Sequence, residues 1–507
     1  MTTDAVPSVV IGARLTIDEV DRIARGAPAT IDRDARTRMT CAYDFVRALA
    51  ISETPVYGLT TGCGPLASQS IPASQREAFQ RNLVRSHAVT LGPPHPPAFV
   101  RAATAVRAQV FAQGYSGVDP ATVDLLVAVL NAGIHPLVRE VGGVGASGDL
   151  VELAQLALVI IGEGEVEYRG NRRPAADALR AAGLDPLIPR YREGLALMHG
   201  TSFHTGAGAV LIARARRIVH AAQIAAAMML DALHGNLEAF SPHLQRTRPH
   251  AGQRAVAERV VSLLSGTRLV RRDESAAGRQ DAYTLRCIPQ VLGAVVDHIE
   301  AAAVTIETEI NSVTDNPLFL VDERRVVHGG NFHGQPVAMA LDQLKTAMVE
   351  LGVASERRIA RALDATLNAG LPAFLIRDGA GLRSGFMGLQ YCATSMAADN
   401  AVLAAPTSVR SVPTNANNQD VVSMGMVAAR HAAQVIDNVE RIVAIELLCA
   451  AQALDLRGVA LAGTGTRAAH AQIRAQVPAL IEDRPMTDDV EAVCRLIDAG
   501  KFAEDFS

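Results

Sequence analysis

TGAGAVLIARARRIVHAAQIAAAMMLDAL, residues 205–233, is the stretch on which the fold turns. It contains no proline, and its two glycines, Gly206 and Gly208, stand in the first turn. Alanine and unbranched residues carry the best helix propensities. A run of this length far exceeds the mean globular helix of about 11–12 residues. Four further stretches have the same character: 289–314, 335–369, 388–404 and 424–456. Long, alanine-rich helices without local caps imply a bundle whose helices run the length of the molecule. The composition agrees. Aromatic residues make up 4% and there is no Trp, so the core must be built from Ala, Val, Ile, Leu and Met. That mixture suits close-packed helices better than a β-sandwich or barrel.

Outward from these helices the pattern changes toward the N-terminus. Residues 8–11 are a short β-branched run, and Thr16-Ile17-Asp18-Glu19 is a capping box opening a helix that Gly26 stops. Stretch 31–50 reads as helix, and YGLTTGCGP at 57–65 as a glycine-punctuated loop. Helix is expected again at 80–90, then a proline-rich break at 92–97. Helices follow at 99–113, 121–132 and 150–161, and 165–170 with Arg173-Pro174 reads as a surface hairpin. The chain has 507 residues, roughly three domain-sized units at about 150 residues each. No internal repeat of about 20–50 residues is present. The expected fold class is mainly α: a long-helix bundle over 111–507 with a smaller mixed N-terminal domain over 1–110.

Several function classes drop out. The 48 basic and 52 acidic residues give a net charge of -4, with no basic block, and so few aromatics offer little for base stacking. No nucleic-acid partner is expected. The six cysteines form no CxxC pair and read as reduced thiols of a cytoplasmic protein. The 14 histidines include no HExxH, so no metal is expected. Residues 1–14 do not read as a signal peptide. No span reaches the roughly 18 uncharged apolar residues of a membrane helix.

The chemistry centres on GGVGASGDL at 142–150. Taken alone, it is a flexible turn leading to a helix N-cap at Ser147 or Asp149. A phosphate loop is ruled out, because no GxxxxGK[ST] is present. A third reading follows from the triplet Ala146-Ser147-Gly148. In a tight bend the Gly148 nitrogen can approach the Ala146 carbonyl carbon, and small residues keep that approach open. Ring closure with loss of two waters, one of them from the Ser147 side chain, leaves an exocyclic methylidene. None of the twenty side chains supplies such an electrophile.

GGVGASGDL resembles the prosthetic-group loop of the aromatic amino acid ammonia-lyases. That family includes histidine, phenylalanine and tyrosine ammonia-lyases and the related 2,3-aminomutases. Other stretches match in family order: YGLTTGCGP at 57–65, RNLVRSH at 81–87, REGLALMHGT at 192–201, RQDAYTLRCIPQVLG at 279–293 and EINSVTDNP at 309–317. GGNFHGQPVA at 329–338, SERRIARALD at 355–364 and NNQDVVSMG at 417–425 complete the series. By this resemblance the chain is identified as a member of the family, with a histidine ammonia-lyase-like fold. The resemblance further implies 4-methylidene-imidazole-5-one (MIO) formed autocatalytically from Ala146, Ser147 and Gly148, with no metal and no nucleotide. It implies a small amino acid substrate and a homotetramer whose sites draw on several subunits.

The resemblance also assigns residues. Tyr57 matches the β-proton base. A phenol of reference pKa about 10 must be shifted or transiently ionised for that task. Arg286 matches the carboxylate-binding arginine, with Asn311 as its helper, and a guanidinium fork suits a carboxylate. Tyr283 and Gln280 precede Arg286 by three and six residues, and the family uses this tyrosine near the MIO. Phe332 matches a phenylalanine that packs beside the MIO ring. Three positions depart from the pattern: His199 stands where the family has Asn, Cys63 where Phe is common, and Glu152 where Pro is common. Two substrate signals conflict. Ser86-His87 resembles histidine ammonia-lyases and bacterial tyrosine aminomutases. Gln419 replaces the Glu of histidine ammonia-lyases and matches the phenylalanine, tyrosine and aminomutase members. The expected function is elimination of ammonia from an aromatic L-amino acid of tyrosine or phenylalanine type, giving an α,β-unsaturated acid. The alternatives are a histidine ammonia-lyase giving urocanate, a 2,3-aminomutase, and a non-catalytic family member.

Overall fold

The long stretches that decided the sequence reading are helices in the computed structural model, which describes residues 7–52, 54–272 and 280–502. They span Ser202–Ala232, Ile288–Ile310, Gln335–Leu363, Met387–Leu403 and Gly425–Arg457. The first is 31 residues long and the last 33. Two end earlier than expected, for local reasons. After Leu363 the Asp364 carboxylate accepts from the Thr366 N–H at 2.8 Å and its hydroxyl at 2.7 Å, a side-chain turn that competes with the helix. After Ile310 the Asn311 side-chain amide donates back to the Glu307 carbonyl at 2.8 Å. Arg279, which opens the RQDAY stretch, lies outside the described residues.

The chain divides into two units, each assembled from three separated stretches. The first comprises Met1–Ala213, Ala302–Asp342 and Pro406–Arg430; the second comprises Arg214–Ala301, Gln343–Ala405 and His431–Ser507. The boundary expected near residue 110 falls inside the helix Pro97–Ala112, within the first unit. That helix is buried continuously from Phe99 to Ala112 and packs against helices Ile17–Ala24 and Pro120–Asn131. Its Arg101 donates to the Ile23 and Leu130 carbonyls, both at 2.8 Å, satisfying the last turns of both neighbours.

Capping follows the sequence. Thr16 and Glu19 form the expected box. Asp32 accepts from the N–H groups of Asp34 and Ala35 and opens the helix Arg33–Ile51. Strands are short. Val9–Ile11 runs parallel to Ala29–Ile31, and Ile134–Pro136, Glu165–Tyr168 and Asn171–Pro174 form an antiparallel three-stranded sheet that includes the expected hairpin. The proline-rich break is in fact a strand, Leu91–Pro94, paired irregularly with Arg139–Val141. Proline is tolerated there because the pair has a free edge on each side.

In the second unit buried polar groups tie the helices together. Asp231 accepts from Thr466 Oγ1 at 2.6 Å and from the Gly463 N–H at 3.0 Å. Arg358 and Glu446 form a fully buried ion pair. Among the described residues no helix is long and apolar enough to cross a membrane.

Candidate active site

The loop preceding the helix Leu150–Ile160 is bent by three left-handed residues within four positions, Gly145 (φ 79°), Ser147 (φ 53°) and Gly148 (φ 83°). For Ser147 that conformation costs on the order of 1–3 kcal/mol and persists only because neighbours impose it. They do so through the backbone. The Gly200 N–H donates to the Ser147 carbonyl at 3.1 Å, and the Asp149 N–H donates to the Gly200 carbonyl at 2.8 Å. A Cβ on Gly148 would lie 2.1 Å from the Gly200 oxygen, and one on Gly145 would lie 2.1 Å from Ser423 Oγ. Both positions therefore require glycine.

Asp149 occupies the N-cap position expected of it, yet its side chain makes no cap to its own helix. Its carboxylate instead accepts from the N–H groups of Phe203 and His204, at 2.8 and 2.9 Å, and from His204 Nδ1 at 2.6 Å. It thus caps the start of Ser202–Ala232. Burial works against charge on His204, but the adjoining Asp149 carboxylate outweighs it and raises the imidazole above its ordinary value.

Ala146 and Ser147 open onto a cavity of about 840 Å³ in the first unit. Tyr57, Ser86, His87, His199, Phe332 and Gln419 line it with them, so eight sequence candidates meet. Gln419 Nε2 donates to Ser147 Oγ at 3.3 Å, and its Oε1 accepts from Thr414 Oγ1 at 2.9 Å. The Tyr57 hydroxyl accepts from the Gly64 N–H at 2.8 Å. Burial raises the Tyr57 phenol above its ordinary value, with the adjacent Cys63 adding to the shift. Burial pushes the Cys63 thiol up to about 11, so it is neutral near pH 7. Ser86 donates to the Leu83 carbonyl at 3.0 Å and lies 2.9 Å from His87 Nδ1.

His199 is held from beneath by charged groups the sequence reading did not assign. Arg192 and Asp315 form a two-pronged ion pair at 2.8 and 3.0 Å with both side chains fully buried. Burial alone would raise Asp315, but Arg192 overrides it and holds the carboxyl well below the usual range. His199 Nδ1 stands 3.5 Å from Asp315 Oδ1, too long for a well-formed hydrogen bond. Burial lowers the His199 pKa more than Asp315 raises it, so the ring is neutral near pH 7. Arg107 donates to the His199 carbonyl, and Phe332 meets the His199 ring edge-on with centroids 4.9 Å apart.

Gly148 turns its backbone to Gly200 and is not among the residues lining this cavity, and four further candidates lie elsewhere. Gln280, Tyr283 and Arg286 cluster in the second unit: Arg286 donates to Gln280 Oε1, and its guanidinium lies 4.7 Å from the centre of the Tyr283 ring. Tyr283 is 71% exposed, so no described residue covers it. Asn311 is not at the cavity, which corrects its assignment as a helper of Arg286. Its Oδ1 accepts from the Leu15 N–H and its Nδ2 donates to the Leu15 carbonyl, both at 2.8 Å. That exchange ties the N-terminal segment to the end of a helix. Asn316, five residues on, lines the cavity instead, with its Oδ1 accepting from the Gly329 N–H at 2.9 Å. Arg192, Asp315 and Asn316 all lay within matched stretches. Arg107 had one signal, a charge well inside a largely apolar helix that also carries Arg101.

A family model for aromatic amino acid lyases matches residues 15–475. The chain belongs to the aromatic amino acid lyase family. A histidine ammonia-lyase from Gloeobacter violaceus is 48% identical over 502 residues, covering 98% of this chain and 96% of the relative. The crystal structure of a tyrosine aminomutase from Streptomyces globisporus matches with a TM-score of 0.93 at 37% identity, covering 98% of both chains. That of a histidine ammonia-lyase from Trypanosoma cruzi matches with a TM-score of 0.90 at 38% identity, covering 98% of this chain and 94% of that one. The long-helix architecture is therefore of histidine ammonia-lyase type, and the chain is a carbon–nitrogen lyase. Members of the family depend on MIO and act on amino acids.

Proposed function

We propose that this lyase eliminates ammonia from an aromatic L-amino acid of tyrosine or phenylalanine type, giving the α,β-unsaturated acid. The observation that carries the reading is the neutral Gln419 amide bonded to Ser147 Oγ in a cavity that also holds Tyr57. A carboxylate at that position would favour an imidazole substrate; an amide does not.

The loop residues fit an MIO. Gly148 and Gly145 leave no room for a Cβ, and Ser147 is held in a tight left-handed bend with its side chain at the cavity. Once formed, that group supplies an electrophilic carbon that makes the substrate amine a better leaving group. The chain's own residues do the rest. Tyr57 Oη receives the β-proton. The Gly64 N–H at 2.8 Å stabilises the phenolate when it forms, while burial keeps it short-lived. His199, neutral and backed by Asp315, offers a hydrogen-bonding ring beside Phe332. Ser86 and His87 supply polar groups for a ring hydroxyl. Gln280, Tyr283 and Arg286 act on another copy's cavity within a homotetramer, with Arg286 as the carboxylate clamp.

Histidine is the second reading. It is favoured by the 48% identical relative and by Asp420, an acid that also lines the cavity. Separate incubation with L-tyrosine, L-phenylalanine and L-histidine tests both. Rising ultraviolet absorbance with free ammonia from tyrosine or phenylalanine supports the first reading. Turnover of histidine alone supports the second. A β-amino acid formed without ammonia would make the enzyme an aminomutase. Tyr57→Phe is expected to lower kcat by about 10²–10⁴-fold.

A further inference from the structure

Glu152 stands in the first turn of the helix Leu150–Ile160 and is 0% exposed. Its Oε1 accepts from the Gly143 N–H at 2.7 Å, on the opposite limb of the loop that carries Ser147. A Cβ on Gly143 would lie 2.4 Å from Oε2, so the carboxyl is seated directly on the Gly143 backbone. Oε2 has no hydrogen-bond partner among the described residues.

The groups facing Glu152 are Asp149, from the start of its own helix, and His204, from Ser202–Ala232. Glu309 faces His204 in turn, and accepts from Thr201 Oγ1 at 2.7 Å. The two loop limbs are thus held by unlike carboxyls. Asp149 has three donors, one of them the His204 ring. Glu152 has, beside its own backbone N–H, one donor, the Gly143 N–H, and no counter-charge within bonding distance among the described residues. A buried carboxylate so poorly served is costly, and the group keeps its proton instead. Burial first, and Asp149 second, push Glu152 up to about 8.

We propose that Glu152 is a positioning residue for MIO formation: it latches the Gly143 limb of the loop to the helix that follows, pressing Ala146 and Gly148 together. The inference rests on the reading that the ring forms in this chain. The covalent step balances on the chain's own atoms. A bond forms from the Gly148 nitrogen to the Ala146 carbonyl carbon. The Ala146 oxygen leaves as water with the Gly148 and Ser147 amide hydrogens. Ser147 then loses its Cα hydrogen and its hydroxyl as the second water. The Gly143 N–H itself favours the ionised form, but burial and the neighbouring Asp149 charge oppose it more strongly, so ionisation of Glu152 favours opening of this limb to water.

The test weighs intact full-length wild type, Glu152→Gln and Glu152→Ala, with folding checked by circular dichroism and size. Wild type and Glu152→Gln are expected two waters below the sequence mass, because the amide keeps the bond to Gly143 without a charge. Folded Glu152→Ala is expected to retain one or both waters in most chains. A folded Glu152→Ala that has lost both waters as fully as wild type overturns the proposal. A wild type that keeps both waters overturns the functional reading itself, and is thereby told apart. A second measurement needs no alanine variant. Amide hydrogen exchange across residues 141–145, corrected for intrinsic pH dependence, is expected to quicken in wild type between about pH 5 and 8, to level off above that, and to stay level throughout in Glu152→Gln. Identical profiles overturn the proposal.

Discussion

Among the buried carboxyl groups of the unit that carries the cavity, Asp315 beside His199 and Glu152 against Gly143 make the sharpest pair. Both have been moved out of water, and both lie close to residues that line the site. Asp315 meets the fork of Arg192 and is held ionised, far below its ordinary range. Glu152 meets backbone N–H groups and a like charge, and is pushed up to about 8. Burial is common to the two, so the partner decides the charge state. The consequences for stability have opposite signs. Asp315 is depressed, so its contribution is present above the ordinary carboxyl value and is lost only in acid. Glu152 is raised. Between its ordinary 4.5 and about 8 the folded chain holds a proton that the unfolded chain has released. Stability therefore falls as pH rises through that window, and levels off above it.

The contrast can be broken most severely at Arg192. Arg192→Met leaves Asp315 buried without its counter-charge, and should cost about 3–5 kcal/mol in urea unfolding at neutral pH. Asp315 should then behave as Glu152 does, with stability falling as pH rises. A loss below about 1 kcal/mol would mean that the pair does not hold the floor of the site.

Glu152→Gln sharpens the contrast from the other side. Removing the titrating proton should flatten the decline between about pH 5 and 8, leaving the variant more stable than wild type at pH 8 by on the order of a few kcal/mol. Thermal melts across that range check it. Parallel curves for the two proteins would mean that Glu152 does not keep its proton.

The smallest effect is expected at His199, which touches Asp315 only weakly. His199→Asn retains a hydrogen-bonding group and removes burial-lowered titration. It should raise kcat by no more than about tenfold, the scale of one net hydrogen bond. No change at all would show that the departure from the family pattern at this position has no consequence for turnover.

The pattern of what the sequence made legible follows from range. Stretch 205–233 and helix Ser202–Ala232 agree to within three residues because helix propensity and periodicity are local. The bend at Ala146-Ser147-Gly148 and the loop of Tyr57 were legible because glycine marks unusual backbone wherever it stands. The buried charges were not. Arg192 and Asp315 are 123 residues apart, and Gln419 reaches Ser147 across 272. Asn311 was misplaced because a motif fixes a residue type, not the direction of its amide. Here the amide closes on Leu15, while Asn316 of the same motif lines the cavity. Glu152 read only as a replacement for a common proline, because nothing nearby in sequence shows that the first turn is buried.

That Ala146, Ser147 and Gly148 supply the electrophile is tested by the intact mass of the purified wild-type chain beside Ser147→Ala. The wild type is expected two waters lighter than its sequence, and the variant is expected to have lost no water and to turn over no amino acid. A wild-type chain at its full sequence mass, or a Ser147→Ala variant that still releases ammonia, would contradict that assignment.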